Sequence, residues 1–337
     1  MAPSELIDLL FVIPPHALLL DIAGPAEAFR LANYHREIRG LPHRFRLRFA
    51  GPTAPATTSV GLALAGLEPL PDELARPTWV VLAGRPSTHL GSITPEIGAI
   101  TIWLRRQHEQ FRTGTAHRLI AICSGSLLGA RAGLLSNRRC TTHHELLDVL
   151  RAAAPRAQVI ANRVFVVDGP IASSAGITAG IDLALYLIAG ECGEALAAAV
   201  AEDMVVYCRR APGDPELSPY LAHRRHLHPA VHRVQDAVLG SPARDWDMPS
   251  LASVGHTTER HLLRLFREHV GLAPLEYVRS IRLERARQAL ACGATVTRAA
   301  ESAGFSSDQQ LRRAWSRQWG GSPRDVSGAG LTRRAAG

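Results

Sequence analysis

Short apolar runs alternate with helix-like stretches over the first two hundred residues. Unbroken apolar runs between turn residues are typical of strands covered on both faces, and apolar positions three and four apart indicate helices. The predicted strands are Ile7–Ile13, Phe45–Phe49, Trp79–Ala83, Leu119–Cys123 and Val164–Val167. The predicted helices are Ala26–Ile38, Glu96–Phe111, Ser126–Leu134, His144–Ala153, Ala179–Ala189 and Glu194–Tyr207. Such alternation predicts an α/β domain, a mostly parallel sheet with helices on both faces.

The pattern changes after Val206. Residues 209–228 are rich in proline and charge, which is typical of a linker, and the histidines of 223–232 are interpreted as a solvated basic end of it rather than a metal site. From there on every periodic segment indicates a helix. We therefore predict an α/β domain at 1–208, a linker at 209–228, an all-α domain at 229–327 and a flexible tail at 328–337.

Charge separates the two predicted domains. Residues 1–208 carry 18 arginines and 18 acidic residues, whereas 209–337 carry 20 arginines and 12 acidic residues. The whole formal excess of +8 therefore lies in the last part of the chain. A neutral domain followed by a basic one favours a sensor joined to a module that binds a polyanion.

The basic part contains an internal repeat with an offset of 49 residues. The matched pairs are Gly255/Gly304, Thr258/Ser307, Leu262/Leu311, Arg264/Arg313, Phe266/Trp315, Gly271/Gly320 and Pro274/Pro323. In each copy a helix should end at the first glycine in a left-handed turn, and Thr258 or Ser307 should cap the next helix. Two such helix-turn-helix motifs, joined by a long helix over Leu275–Cys292, would meet two successive major grooves of DNA.

The second helix of each motif should bury one apolar stripe and expose its other side chains. The stripes are Leu262, Leu265 and Phe266 in the first motif, and Leu311, Ala314 and Trp315 in the second. Exposed arginine and glutamine side chains can then contact base edges. A helical bundle whose arginines merely solvate its surface is the alternative, and the duplicated motif together with the localised charge favours DNA binding.

Residues 230–326 resemble the AraC family of regulators. The resemblance rests on Thr258–Gly271, Pro274, Tyr277, Arg282–Arg287, Ala303–Phe305 and Gly320–Pro323. It implies base contacts from Arg260, Leu263, Arg264, Asp308, Gln309 and Arg313, and we expect phosphate contacts from Arg267, Arg312 and Arg317. Ala299 and Ala300 stand where family members often carry larger residues, which would loosen the packing of the second motif.

A strand-to-helix turn in the first domain carries a cysteine. Cys123 lies between Leu119–Ile122 and a predicted helix, with Ala121 and Gly125 two residues to either side. A nucleophile elbow needs small side chains at these two positions because its turn is tight. A thiol at the start of a helix is expected to have a lowered pKa.

The first 205 residues resemble the ThiJ/PfpI superfamily, whose fold is flavodoxin-like and similar to class I glutamine amidotransferases. Supporting segments are Leu20–Phe29, Ile122–Ser126, Ala132–Leu135, Thr141–His143 and Ser173–Ala184. GlxA-type regulators join such a domain to an AraC-type domain. Enzymes of the superfamily commonly carry histidine directly after the cysteine, where this chain has Ser124.

The resemblance leaves the role of the cysteine open. We predict a ligand pocket formed by Asp21, Cys123, Ser124 and His143, with Asp21 capping a helix that begins near Pro25. A cysteine-dependent hydrolase or hydratase, in which Asp21 is the acidic partner of Cys123, is the alternative function, and a redox sensor is a third. The preferred hypothesis is a bacterial transcription regulator without catalytic activity.

The cysteine content and the absence of a predicted membrane span indicate the expected cellular location, and the two domains indicate the expected partners. Five cysteines without a paired spacing suit a reducing cytoplasm, and we expect no metal and no cofactor. Neither a membrane span nor a signal peptide is predicted, and we expect association with the nucleoid. The expected partners are double-stranded DNA, an unidentified small-molecule effector and RNA polymerase. GlxA-type relatives imply a homodimer.

Overall fold

The chain forms two compact units. The structure is a computed structural model that describes residues 6–113, 116–206, 209–224 and 226–324. The N-terminal unit comprises Met1–Glu216 and the C-terminal unit Leu217–Gly337, so the division falls within the segment 209–228. The expected tail at 328–337, the end of the predicted helix at Tyr207 and the cysteine at 208 lie outside the described residues.

The N-terminal unit is an α/β domain. Its strands are β1 (Ile7–Val12), β2 (Phe45–Ala50), β3 (Ala56–Thr57), β4 (Ala63–Leu64), β5 (Thr78–Leu82), β6 (Arg118–Ile122), β7 (Arg139–Cys140), β8 (Gln158–Val159), β9 (Phe165–Asp168) and β10 (Ile171–Ser174). Its helices are α1 (Leu19–Glu37), α2 (Pro95–Arg106), α3 (Gln110–Thr113), α4 (Gly125–Arg131), α5 (Leu147–Ala153), α6 (Ala179–Cys192) and α7 (Glu194–Asp203).

Among the described residues, six strands form the main sheet in the order β2-β1-β5-β6-β10-β9. All neighbouring strands are parallel except β9 and β10. The prediction of a mostly parallel sheet is confirmed, and all five predicted strands are present. Strand β10 was not predicted, because its second half, Ser173 and Ser174, lacks an apolar signal although both residues are fully buried.

Side chains of β1 alternate between two apolar cores because successive strand residues point to opposite faces. Leu9 and Phe11 belong to the core that contains residues of α1, α6 and α7. Leu10 and Val12 belong to the core that contains residues of α2, α4 and α5. The sheet is thus covered on both faces, and the carboxyl ends of its parallel strands form the edge where α/β folds place their ligands.

Helix α1 begins earlier than predicted. It starts at Leu19 and contains Pro25 within it, so the predicted start near Ala26 is wrong. Asp21 lies in the first turn and its side chain caps no helix; its carboxylate bonds to Gly84 instead. A proline is common at the first position of a helix, which is why a start near Pro25 was predicted. In the structure Pro25 lies inside α1, after its first turn.

The C-terminal unit is helical throughout the part that the structure describes. Its helices are α8 (Pro219–Ala222), α9 (Pro229–Gly240), α10 (Met248–Gly255), α11 (Glu259–His269), α12 (Pro274–Ala291), α13 (Val296–Ala303) and α14 (Asp308–Trp319). No helix of the described residues combines the length and the apolar character that crossing a membrane requires.

Helix α12 links two separate apolar clusters. Its first half contributes Tyr277, Val278 and Ile281 to a cluster with residues of α9, α10 and α11. Its second half contributes Leu283, Ala286 and Leu290 to a cluster with residues of α13 and α14. With 18 residues and a rise of 1.5 Å each, α12 is about 27 Å long. Each motif therefore has its own core on one shared helix.

The histidines at the start of the C-terminal unit pack together. The rings of His226 and His232 lie 4.5 Å apart, and those of His228 and His269 lie 5.0 Å apart. Burial lowers the pKa of His226, and the neighbouring His232 and His269 lower it further. His226, His228 and His232 are half-buried, so their rings lie partly in solvent and partly against one another.

Candidate DNA-binding surface and elbow site

The sequence repeat corresponds to two copies of one backbone design. Thr258 Oγ1 accepts a hydrogen bond from His261 N at 3.3 Å, and Ser307 Oγ accepts one from Gln310 N at 3.2 Å. Both predicted caps are confirmed. Gly271 and Gly320, which follow the two capped helices, are both left-handed, with φ of +77° and +79°.

The two turns differ in which residue is left-handed. Gly304 has φ of +85°, as predicted, and a Cβ there would lie 2.5 Å from Ala243 Cα. In the first motif Gly255 is the last residue of α10, and His256 takes the left-handed conformation with φ of +51°. The prediction for Gly255 is therefore wrong. Its packing explains the glycine instead, because a Cβ would lie 3.3 Å from Val234 Cγ2.

The predicted apolar stripes of α11 and α14 are buried, so the opposite faces carry the charge. Leu262, Phe266, Leu311 and Trp315 are at most 3% exposed. The predicted DNA-contacting residues that are exposed are Arg260, Arg264, Arg267, Gln309, Arg313 and Arg317, and those that are half-buried are Leu263, Asp308 and Arg312. Helices α11 and α14 therefore each expose a basic face that a polyanion can contact.

A cleft of about 520 Å³ lies between α12 and α14. Its lining combines Phe305 with Gln309, Arg313 and Arg317 of α14 and with Arg282 of α12. Asp308 stands apart from this cation-rich lining, because its Oδ2 accepts a hydrogen bond from Thr297 Oγ1 at 3.1 Å within the same motif.

The elbow geometry predicted for the N-terminal unit is present. Cys123 has φ of +53°, which a residue with a side chain adopts only when its surroundings hold it there. A Cβ at Gly125 would lie 2.2 Å from the Leu82 carbonyl oxygen. The chain can therefore turn from β6 into α4 only with glycine at this position.

Three of the four predicted pocket residues meet at the carboxyl ends of β5 and β6. Asp21 Oδ2 accepts a hydrogen bond from Gly84 N at 2.9 Å. Ser124 Oγ accepts one from Arg85 N at 2.6 Å and donates one to Arg85 O at 2.8 Å. A Cβ at Gly84 would fall 2.6 Å from Asp21 Oδ2 and 2.9 Å from Ser124 Oγ, so both side chains flank the same glycine beside Cys123.

His143 approaches this group from another direction. The residue before it, Thr142, donates from Oγ1 to the Cys123 carbonyl at 2.9 Å. His143 itself forms a cluster with His144 and Glu216, in which one ligand atom of each lies within 4.8 Å of the others. Sequence patterns gave no signal for Glu216, because it lies 72 residues from His144, to which it bonds.

Burial controls the titration of the elbow. Burial raises the pKa of Asp21 to about 7, opposed by the hydrogen bond from Gly84. Burial also raises the pKa of Cys123 to about 12, and the negative charge of Asp21 adds to this effect. The predicted lowering of the thiol pKa is wrong, because desolvation of the thiolate outweighs the backbone hydrogen bond at Ser124, which lowers this pKa.

Arg85 also lies in this group, bonded to Ser124, although no sequence pattern indicated it. It is 5% exposed, and its Nε donates to the Pro15 carbonyl at 3.1 Å, while Nη1 finds no partner among the described residues. Burial and the charge of Arg131 lower its pKa. Its only sequence signal is its position two residues after Ala83, the end of a predicted buried strand. We define the elbow site as Asp21, Arg85, Cys123 and Ser124.

Comparison with known proteins matches both units. The model of the DJ-1/PfpI family matches residues 102–190, and that of a helix-turn-helix domain matches residues 251–328. HTH-type transcriptional regulator CdhR of Pseudomonas aeruginosa is 31% identical over 94% of this chain and 90% of its own length. HTH-type transcriptional regulator GlxA of Rhizobium meliloti is 29% identical over 93% of each chain.

A solved structure is similar in fold to part of this chain. The crystal structure of an AraC family transcriptional regulator from Pseudomonas putida covers 59% of this chain and 99% of its own, at 19% identity and a TM-score of 0.50. Because the match to CdhR covers 94% of this chain, it takes in most of both units. The chain therefore belongs to the family of HTH-type transcriptional regulators that join a DJ-1/PfpI domain to an AraC-type helix-turn-helix domain.

Proposed function

We propose that the N-terminal unit binds a small-molecule effector at the elbow site and thereby controls how the C-terminal unit binds promoters. The observation that carries this proposal is a pair of buried polar atoms. Asp21 Oδ1 and Arg85 Nη1 have no hydrogen-bond partner among the described residues, and their side chains are 0% and 5% exposed. Buried polar atoms without partners are costly, and a ligand that satisfies both would stabilise the unit that holds them.

The elbow site is closed in the described conformation. Cys123 and Ser124 are 4% and 3% exposed. An effector therefore enters only if neighbouring groups move, and a ligand that binds the opened state shifts the population towards it. This coupling between occupancy and conformation is what a regulatory domain requires.

The alternative of a cysteine-dependent enzyme is disfavoured by the state of the thiol. The nucleophile is the thiolate, and a pKa of about 12 leaves Cys123 protonated at neutral pH. When Asp21 is ionised, its negative charge beside the sulfur raises the pKa of Cys123 further. The same argument disfavours a peroxide sensor, because susceptibility to oxidation follows thiolate character.

For the DNA-binding unit we propose base contacts from Arg260, Leu263, Arg264, Asp308, Gln309 and Arg313. Arg267, Arg312 and Arg317 would contact phosphates. The exposed faces of α11 and α14 support this assignment, because the buried stripes leave these side chains outward or at the edge. From the GlxA-type resemblance we also propose a cytoplasmic, nucleoid-associated homodimer that contacts RNA polymerase.

Two experiments test the proposal. Genome-wide mapping of bound DNA would identify operators, and a reporter fused to one of them would report regulation in cells. Arg85→Gln should abolish the reporter response to growth conditions while the purified variant binds the operator with unchanged affinity. Arg30→Gln is a matched control, since Arg30 is exposed and pairs with Glu27, three residues away. A normal response of Arg85→Gln would reject the elbow site as the effector site.

A further inference from the structure

A mixed histidine–carboxylate cluster lies beside the elbow site. His144 Nδ1 lies 2.8 Å from Glu216 Oε1, and His144 N donates to the same oxygen at 3.1 Å. One ligand atom each of His143, His144 and Glu216 lies within 4.8 Å of the others. Glu145 adds a second carboxylate, 3.9 Å from His143 Nδ1 and 4.0 Å from His144 Nε2.

The carboxylate of Glu216 is held in place by its own segment, residues 209–216. Arg210 donates from Nε and Nη2 to Asp182 Oδ2 at 2.9 and 2.6 Å, and Asp182 is 5% exposed. Val164 N donates to the Asp214 carbonyl at 3.0 Å. These contacts hold the segment against the rest of the N-terminal unit. The Glu216 side chain is therefore fixed beside His144, and it is 6% exposed.

The ligand atoms available in this cluster favour one class of metal ion. Imidazole nitrogen together with carboxylate oxygen suits zinc, nickel and cobalt, whereas magnesium and calcium prefer oxygen ligands alone. Zinc bonds of about 2.0–2.2 Å place neighbouring ligand atoms about 3–4 Å apart, and the ligand atoms of this cluster lie within 4.8 Å of one another. A divalent cation would also offset the charges of Glu145 and Glu216.

We propose that His143, His144 and Glu216 bind a divalent transition-metal ion of the zinc class. Glu216 directly precedes Leu217, the first residue of the C-terminal unit. The ion would therefore anchor to the N-terminal unit the stretch of chain that leads into the DNA-binding unit. The competing explanation is an ion pair between His144 and Glu216 that binds no metal.

The test uses the full-length protein, stripped with a chelator and dialysed. Titration with Zn²⁺ by calorimetry, and with Co²⁺ by visible absorption, should give one ion per chain with histidine and carboxylate ligands. His144→Ala and Glu216→Gln should each weaken Zn²⁺ binding about tenfold or more. Glu216→Gln keeps an oxygen for the His144 amide, so it remains informative if His144→Ala fails to fold.

Two controls make the result specific. His43→Ala removes a histidine that pairs with a carboxylate, Glu37, on the exposed surface of the same unit, and it should leave Zn²⁺ affinity unchanged. His226→Ala tests the histidines of the C-terminal unit and should also leave this binding unchanged. Absence of Zn²⁺ and Co²⁺ binding by the wild-type protein, or undiminished binding by Glu216→Gln, would overturn the proposal.

Discussion

The elbow of the N-terminal unit and the turns of the C-terminal unit use similar backbone designs for opposite purposes. Each places a left-handed residue, Cys123, His256 or Gly304, shortly before a helix. At the elbow, the polar groups around that helix start are buried and the titration of Asp21 and Cys123 is displaced. After the two turns, the helices α11 and α14 present arginines to solvent.

This difference shows that a tight turn determines where side chains lie but not what they can do chemically. Burial decides that. The thiol of Cys123 sits where a nucleophile would sit, yet desolvation keeps it protonated. Most arginines of α11 and α14 are exposed to solvent, where they can bind a polyanion through its phosphates.

The largest effect is expected from Gly125→Ala. The added Cβ would lie 2.2 Å from the Leu82 carbonyl oxygen, which is backbone and cannot rotate away. We expect the free energy of unfolding of the N-terminal unit to fall by about 3 kcal/mol or more. Gly98→Ala in α2, where nothing lies within 4 Å of the new Cβ, is the control and should not destabilise. Equal unfolding curves for the two variants, in urea, would refute the elbow geometry.

Removing a base contact should have the next largest effect. Arg264→Ala is expected to weaken binding to a mapped operator by about 1–3 kcal/mol and to relax selectivity at one base pair. Fluorescence anisotropy on the operator and on a scrambled duplex measures both effects. Arg285→Ala, an exposed arginine of α12, controls for the loss of one charge. An equal loss on both duplexes would leave Arg264 with only a backbone contact.

The buried carboxyl predicts a pH effect on stability. Asp21 has a pKa of about 7 when folded and 3.8 as its ordinary value, so the folded state holds its proton more tightly. Its contribution to stability is therefore lost as pH rises from about 4 to 7 and stays constant above 7. Asp21→Asn should remove this slope, and the difference between pH 5.5 and 8.5 in urea unfolding should shrink by about 1–2 kcal/mol. An unchanged pH profile would mean that Asp21 ionises normally in the fold.

Phosphate contacts should change the salt dependence more than the selectivity. Arg317→Ala is expected to lower the slope of log affinity against log salt concentration by about 1, equally on operator and scrambled DNA. Affinity measurements between low and physiological salt would detect this change. A variant whose slope matches the wild type would show that Arg317 makes no phosphate contact.

The smallest effect is expected from Cys123→Ser, which should leave operator binding unchanged. Alkylation of the wild-type protein should modify the exposed Cys292 long before the buried Cys123. Mass spectrometry of iodoacetamide-treated protein at pH 7.5 measures the order. Faster modification of Cys123 would reveal a low-pKa thiol and revive the enzyme hypothesis.

The features that were predicted correctly are those set by interactions between residues close together in the sequence. All five strands predicted from apolar runs are present in the structure. The spacing of Leu262, Phe266, Leu311 and Trp315 correctly predicted both buried stripes. The caps at Thr258 and Ser307 follow from the need of a helix start for a side-chain acceptor. Such features depend on neighbours within a few residues, which a single sequence displays.

Long-range contacts and small backbone shifts escaped prediction. Arg85 contacts Ser124 and Glu216 contacts His144 only because the fold brings distant segments together. The left-handed conformation moved from Gly255 to His256 because α10 continues one residue further than the repeat suggests. The pKa of Cys123 depends on burial, which its sequence neighbours do not reveal.

Chemical footprinting of the full-length protein on a mapped operator tests the central claim most directly. Two helix-turn-helix motifs on one long helix should protect two major-groove segments about one helical turn, or ~34 Å, apart on one face of the duplex. Arg264→Ala should lose protection at one segment and Arg313→Ala at the other. A single protected segment, or loss of the same segment in both variants, would contradict the account.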